Sequence, residues 1–238
     1  VYKRQVLMPT GSGKSLCYQI PSICMRGTGV IVSPLIALMQ DQVSALCEAG
    51  VRAAALHSGL EYAALNAAMD DLRSGRLDLV YVAPERLVTP DFLDLLDNTE
   101  IALFAIDEAH CISQWGHDFR PEYREVSLLR TRYPDTPCIA VTATADTPTR
   151  NDIVERLALP KLYVAGFDRP NITYEVAIKN NPRAQLLAFL KGRDVSESGI
   201  VYCLSRNETD QVYEFLKKNG FNTISYHAGK SAEHRRES

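Results

Sequence analysis

Several common features are absent from this sequence, and each absence removes a class of function. Its six cysteines, at positions 17, 24, 47, 111, 138 and 203, form no C-x-x-C pair, and their spacing fits no zinc template. Several lie in apolar runs, where a free thiol behaves as a small hydrophobe. That usage fits a reducing compartment, so a cytoplasmic location is expected, on the nucleoid if the source is bacterial. Positive charge is not in surplus: Lys plus Arg is 26, Asp plus Glu is 29, and the formal net charge is −3. A bulk electrostatic grip on nucleic acid is therefore not supported, and any binding must rest on local patches, backbone amides and stacking. No apolar run approaches the roughly 20 residues of a membrane-spanning helix, and no signal peptide is visible, so no membrane partner is expected. Low-complexity tracts and internal repeats are absent as well.

What is present is an alternation of short apolar runs and amphipathic stretches. Residues 5–8, 29–32, 53–56, 77–83, 101–107 and 138–143 have the length and composition of strands buried on both faces. Between them, 35–49, 61–74, 120–132 and 147–157 have helical character. Strict alternation predicts an α/β fold, a parallel sheet flanked by helices. A second, shorter series has strand-like runs at 172–178, 199–203 and 222–227 and helix-like runs at 182–190 and 205–219. The aperiodic stretch 166–171, with Gly166 and Pro170, separates the two series as a linker. The expected division is thus a first domain over 1–165, a linker over 166–171 and a second, partial domain over 172–238. Three strands and two helices make a poor independent core. The chain starts on Val1 and stops at Ser238 inside a helix-like run, so it is expected to be an internal piece of a longer protein.

Two motifs carry chemistry. Met8-Pro9-Thr10-Gly11-Ser12-Gly13-Lys14-Ser15 follows a strand and opens a helix, the context a P-loop requires. Thr10, Gly11, Ser12, Gly13, Lys14 and Ser15 are the candidate phosphate-binding residues of an ATP site. Glycines let amides curl around phosphates at a helix N-terminus, Lys14 reaches the β- and γ-phosphates, and Ser15 ligates Mg²⁺. Met8 stands where the strict pattern wants glycine, and a glycine-rich strand–helix turn with an exposed lysine would carry similar letters. Pro21 predicts that the following helix is short. Asp107-Glu108-Ala109-His110 ends the run 101–106. In a parallel sheet that end of a strand faces the ligand crevice, so the pair reads as a Walker B motif. Asp107 holds Mg²⁺ and Glu108 polarises the attacking water; an ordinary acidic loop is the plainer alternative. Lys14, Asp107, Glu108 and His110 are the candidate catalytic residues.

The order of motifs resembles superfamily 2 helicases, which are built from two RecA-like domains. Ser33-Pro34-Leu35 through Gln42 is similar to helicase motif Ia, Ala83-Pro84-Glu85-Arg86-Leu87 to motif Ib and Val141-Thr142-Ala143-Thr144-Ala145 to motif III. Gly199 through Cys203 with Ser205-Arg206 resembles motif IV, and Tyr226-His227-Ala228-Gly229 the motif after it. Two stretches resemble the RecQ family in particular. These are the aromatic-rich loop Cys111-Ile112-Ser113-Gln114-Trp115-Gly116-His117-Asp118-Phe119-Arg120-Pro121-Glu122-Tyr123 and the interdomain segment Phe167-Asp168-Arg169-Pro170-Asn171. RecQ proteins also share the P-loop variant that begins Met8-Pro9-Thr10.

The resemblance implies an RecA-like P-loop NTPase domain plus the start of a second. It implies ATP and Mg²⁺ as cofactors, DNA as partner, and ATP-driven 3′→5′ unwinding in recombination or repair, with closure of two lobes biased by the γ-phosphate. Ser33, Arg86, Ser205, Arg206 and His227 are placed where the family contacts nucleic acid, and His110, Thr142 and Thr144 where it couples ATP state to that grip. Trp115, His117, Phe119 and Arg120 can stack on single-stranded bases, worth roughly 1–3 kcal/mol per base. A buried, core-packing Trp115 and a zinc site of His110, Cys111 and His117 are the competing readings, and His57 is either a DNA contact or a satisfied polar residue. Motifs V and VI, with the arginine finger, and the zinc-binding region of RecQ proteins are expected downstream of Ser238. The piece alone is therefore expected to unwind little or nothing. A superfamily 2 RNA helicase or remodeller, or an inactive ATP- or DNA-binding scaffold, is the alternative.

Overall fold

The computed structural model describes residues 3–116, 118–166, 171–194 and 196–231. The chain divides into two compact units, Val1–Asn171 and Ile172–Ser238. Most of the stretch read as a linker, 167–170, lies outside the described residues, as does His117.

The first unit opens with β1 (Lys3–Leu7), α1 (Leu16–Cys24), β2 (Thr28–Val32), α2 (Ile36–Glu48), β3 (Ala53–Leu56), α3 (Tyr62–Arg73) and β4 (Leu79–Val82). It continues with α4 (Pro84–Leu87), α5 (Pro90–Asp97), β5 (Ile101–Ile106), α6 (Pro121–Arg124), α7 (Leu128–Arg132), β6 (Cys138–Thr142), α8 (Thr147–Leu157) and β7 (Lys161–Val164). The seven strands form one sheet in the order β3-β4-β2-β5-β6-β1-β7, every pair parallel. Parallel neighbours need crossovers, and the helices supply them on both faces.

Side-chain alternation shows the two faces directly. Val30 and Val32, Val80 and Val82, and Phe104 and Ile106 pack with Leu72 of α3, Phe92 of α5 and Ile153 of α8. The intervening Ile31, Leu79, Tyr81, Leu103 and Ala105 pack with Tyr18 of α1 and with Met39 and Leu46 of α2. Central strands are buried on both sides and are apolar at nearly every position. The two edges differ: β3 is half-buried and β7 exposes all four side chains.

Three elements depart from the sequence reading. First, α1 runs through Pro21 to Cys24 instead of ending before it. Pro21 forfeits one helical N–H, but Tyr18, Gln19 and Ser22 are buried against the sheet and hold the turn in place. Ser22 Oγ also donates to Tyr18 O at 2.7 Å. Second, the helix expected over 120–132 is broken into α6, a 3₁₀ turn at Glu125–Ser127 and α7. Tyr123, Val126 and Leu129 are all buried, and a spacing of three suits a 3₁₀ turn better than an α-helix.

Third, the second unit has α9 (Pro182–Lys191) and α10 (Arg206–Lys218), but none of its described residues is in a strand. The apolar runs 172–178, 199–203 and 222–227 are not laddered, and Val176, Ile178 and Tyr202 are almost wholly exposed. A strand exists only where a partner backbone accepts and donates its hydrogen bonds, and apolar composition does not supply one.

Candidate functional site

The site grows from the C-terminal ends of three adjacent strands. β6 lies between β5 and β1. β1 runs into the loop 8–15, β5 into Asp107 and β6 into the Thr142–Thr144 turn. Residues separated by most of the unit's sequence are therefore brought to one sheet edge.

The loop after β1 is shaped by two glycines in the left-handed region, Gly11 at φ 80° and Gly13 at φ 81°, where a side chain would be strained. Ser12 N–H and Oγ both bond Pro9 O, at 3.3 and 2.5 Å, and Lys14 Nζ donates to Pro9 O at 3.2 Å. Among the described residues, the amides of Gly13, Lys14 and Ser15 bond no other backbone carbonyl. Three successive amides at the start of α1 beside a lysine form a donor set that fits a polyphosphate.

Asp107 follows β5 and is clamped from both faces of the sheet. Its Oδ1 accepts the Glu108 N–H at 2.9 Å, and Tyr18 of α1 donates its hydroxyl to Oδ2 at 3.4 Å. From the other face, the fully buried Tyr123 of α6 donates to Asp107 O at 3.0 Å. Burial, then the charge of Glu108, pushes the Asp107 carboxyl up to about 6; the Glu108 N–H, Lys14 and Tyr18 oppose the rise. A carboxylate held under such strain, with a lysine and a hydroxyl nearby, is a donor suited to a hard divalent cation.

Glu108 sits in the left-handed region at φ 44°, which swings its carboxylate back over the 3₁₀ turn Ala109–Ile112. Glu108 Oε2 is 3.2 Å from His110 Nδ1, and Thr142 Oγ1 of β6 is 2.9 Å from the same nitrogen. Thr142 Oγ1 also bonds the Thr144 N–H and carbonyl, at 3.4 and 3.3 Å. Glu108, His110, Thr142 and Thr144 are thus linked in sequence. Thr10, Glu108, His110 and Thr144 line one cleft of about 290 Å³, together with Pro34, Cys111 and Asp118.

The aromatic-rich loop is built onto this cleft. Gly116 is obligatory: a Cβ there would lie 2.3 Å from His110 O. Arg120 donates to Asp118 and also to Pro34 O at 3.0 Å, tying the loop to the turn after β2. Trp115 is 73% exposed, so the core-packing reading of this residue does not hold. Phe119 is half-buried. His110, Cys111 and Asp118 offer ligand atoms within 4.8 Å of one another. Burial and Asp118 push the Cys111 thiol up to about 12, however, and Arg120 already holds the Asp118 carboxylate, an arrangement of a packed joint.

The other sequence-selected residues are dispersed. Ser33 is buried, its hydroxyl without a hydrogen-bond partner among the described residues. Arg86 starts its contacts at Met69 Sδ, 4.0 Å away. His57 is buried; its Nδ1 accepts the Gly59 N–H at 3.1 Å and its Nε2 lies 3.3 Å from Gln40 Nε2, which makes it a satisfied polar residue. In the second unit, Ser205 caps α10 by accepting the Glu208 N–H at 3.1 Å, and Arg206 is exposed beside it. His227 Nε2 bonds Asp210 at 3.1 Å while Nδ1 accepts the Gly229 N–H, also at 3.1 Å. Sequence reasoning missed Tyr18 and gave Tyr123 no task. Tyr18 stands one helical turn after Lys14, which is the signal that would have placed it at the site.

Comparison with known proteins agrees with this architecture. The DEAD/DEAH box helicase family matches residues 3–153. The ATP-dependent DNA helicase RecQ of Pasteurella multocida is 45% identical over 97% of this chain, and that of Bacillus subtilis 42% over 97%. The chain spans 37% and 39% of those two proteins. Among solved structures, the DUF1998 helicase MrfA, bound to DNA and AMPPNP, superposes with a TM-score of 0.71 at 21% identity, covering 99% of this chain and 37% of MrfA. At that identity the likeness is one of fold. The chain belongs to the DEAD/DEAH box helicase family, and within that family its likeness is to the RecQ DNA helicases.

Proposed function

We propose that this chain is the ATP-hydrolysing part of a RecQ-type, 3′→5′ DNA helicase, in which the cleft at the ends of β1, β6 and β5 turns hydrolysis into a changed grip on single-stranded DNA. One observation carries the reading: the phosphate loop and the Asp107–Glu108 pair lie on either side of β6, and Thr142 of β6 bonds His110. The family binds ATP, and the amides and side chains of residues 10–15 are the groups to hold its phosphates. Ser15 and Asp107 are the candidate Mg²⁺ ligands. Bound together, nucleotide and cation supply an electrophilic phosphorus whose negative charge is neutralised.

The chain's own residues do the rest. Lys14 leaves the Pro9 carbonyl for the phosphates. Glu108 orients the attacking water and takes its proton on the carboxylate that faces His110. One Nδ1–H on His110 serves Glu108 and Thr142 together, so a change of charge at Glu108 alters the Thr142–Thr144 turn. Trp115, exposed on the loop that Gly116 packs against His110 and Arg120 ties to Pro34, supplies a stacking surface for a base. Phe119 and Arg120 support it from the same loop, and His117 is assigned there from sequence. Arg86 in the first unit and Ser205, Arg206 and His227 in the second are the proposed backbone contacts. Ser33 can join them only if its turn opens, since its hydroxyl is buried.

The experiment is Lys14→Ala in the full-length protein. DNA-stimulated ATP hydrolysis should be abolished, and retained turnover would refute the phosphate-site assignment. The same assay run with single-stranded DNA against RNA separates a DNA helicase from an RNA-directed relative.

A further inference from the structure

Tyr18 reaches Asp107 from the middle of a buried polar file. Its ring meets Tyr81 of β4 edge to face, with centroids 6.3 Å apart and planes at 70°. Tyr81 Oη accepts from Gln19 Nε2 at 3.0 Å. The other hydrogen of that amide goes to Gln42 Oε1 on α2 at 2.8 Å. Tyr18 and Tyr81 are fully buried and Gln19 nearly so.

Valence fixes the direction of the bond to Asp107. An ionised carboxylate only accepts, so Tyr18 donates to Asp107. Tyr81 Oη turns a lone pair to the Gln19 amide. Burial raises the pKa of both phenols, so neither loses its hydrogen at working pH. Packing alone does not explain this: phenylalanine at 18 and 81 would fill the same space without polar groups to satisfy.

What the file accomplishes is visible at Asp107. Oδ1 is committed to the Glu108 N–H and Oδ2 to Tyr18, so rotation of the carboxylate is fixed by two bonds from different elements. Without Tyr18, only the adjacent backbone N–H would restrain it. We propose that Tyr18 is a positioning residue for the Asp107 carboxylate, and that Tyr81, Gln19 and Gln42 anchor that setting to helix α2. This rests on the reading of Asp107 as a cation ligand.

The test measures ATP affinity of the chain by calorimetry in excess Mn²⁺ and again in EDTA, for the wild type, Tyr18→Phe and Asp107→Asn. The readout is the factor by which Mn²⁺ tightens ATP binding. Removing a group that orients a metal ligand typically costs 10–100-fold in metal affinity. Tyr18→Phe is therefore expected to cut the Mn²⁺ factor about tenfold while affinity in EDTA stays unchanged, and to alter the Mn²⁺ electron paramagnetic resonance line. If Tyr18→Phe keeps the wild-type factor while Asp107→Asn loses it, the positioning role is overturned and the Asp107 reading stands. If Asp107→Asn also keeps the factor, the Asp107 reading itself fails, and the proposal with it. An equal loss with Mn²⁺ and in EDTA marks Tyr18 as merely structural and overturns the proposal. Should Tyr18→Phe not fold, Tyr81→Phe keeps the ring against Tyr18 and removes the acceptor of the Gln19 amide; a two- to threefold drop in the factor supports the anchoring, and no change overturns it.

Discussion

Replacing Asp107 by Asn should make the nucleotide-free chain more stable at neutral and alkaline pH. The carboxyl is lifted from its ordinary 3.8 to about 6, first by burial and then by the neighbouring Glu108 charge. The folded-state pKa therefore lies above the unfolded one. Between the two, the folded chain binds the proton more readily, so stability rises as pH falls from about 7 toward 4. Above about 6 the group is ionised in both states, and the folded state bears the full cost of the buried charge. Each pH unit of difference is worth about 1.4 kcal/mol, so a gap of roughly two sets the cost at about 3 kcal/mol. Asn keeps an acceptor for the Glu108 N–H and carries no charge. Urea unfolding at pH 8, with hydrogen exchange of the β5 amides to report on the first unit, should show Asp107→Asn ahead by about 2–3 kcal/mol. By pH 4 the two curves should converge. A variant equally or less stable at pH 8, or an advantage independent of pH, would refute the claim that this carboxylate is held at a cost.

Two further outcomes follow from burial. Trp115→Ala removes a side chain that is 73% exposed, so stability should change by no more than about 0.5 kcal/mol, while affinity for a single-stranded oligonucleotide, followed by fluorescence anisotropy, should fall by about 1–3 kcal/mol. Gln5, fully buried in β1, has neither amide atom hydrogen-bonded among the described residues. Gln5→Leu should therefore stabilise by about 1–3 kcal/mol, read as a rise in the melting temperature of several degrees.

The strands of the first unit were legible because a parallel sheet buried on both faces leaves nearly continuous apolar runs. Positions 53–56 and 147–157 were read with the bounds observed for β3 and α8. β7 was not read, although Leu162-Tyr163-Val164 is an apolar run; the strand lies at the sheet edge with all four side chains exposed. The opposite error befell the second unit. Its runs at 172–178, 199–203 and 222–227 have strand composition, yet composition reports only that a segment would gain from burial. Whether it pairs depends on a neighbour's backbone, which periodicity does not encode.

The site divides along the same line. The phosphate loop and the Asp107–His110 stretch are contiguous letters, because each must present several groups from one turn of backbone to one ligand. The groups that hold Asp107 in place are not contiguous with it: Tyr18 is 89 residues away in sequence and Tyr123 is 16. Any hydroxyl of suitable reach from either face of the sheet could do that work, so no fixed spacing from Asp107 marks it. The same holds for Arg120, chosen from sequence as a stacking cation. Its guanidinium is engaged by Asp118 and by the Pro34 carbonyl 86 residues away. An arginine beside aromatics looks the same in sequence whether it faces a base or braces a loop. Here the guanidinium braces the loop, and the tryptophan five residues before it is the exposed side chain.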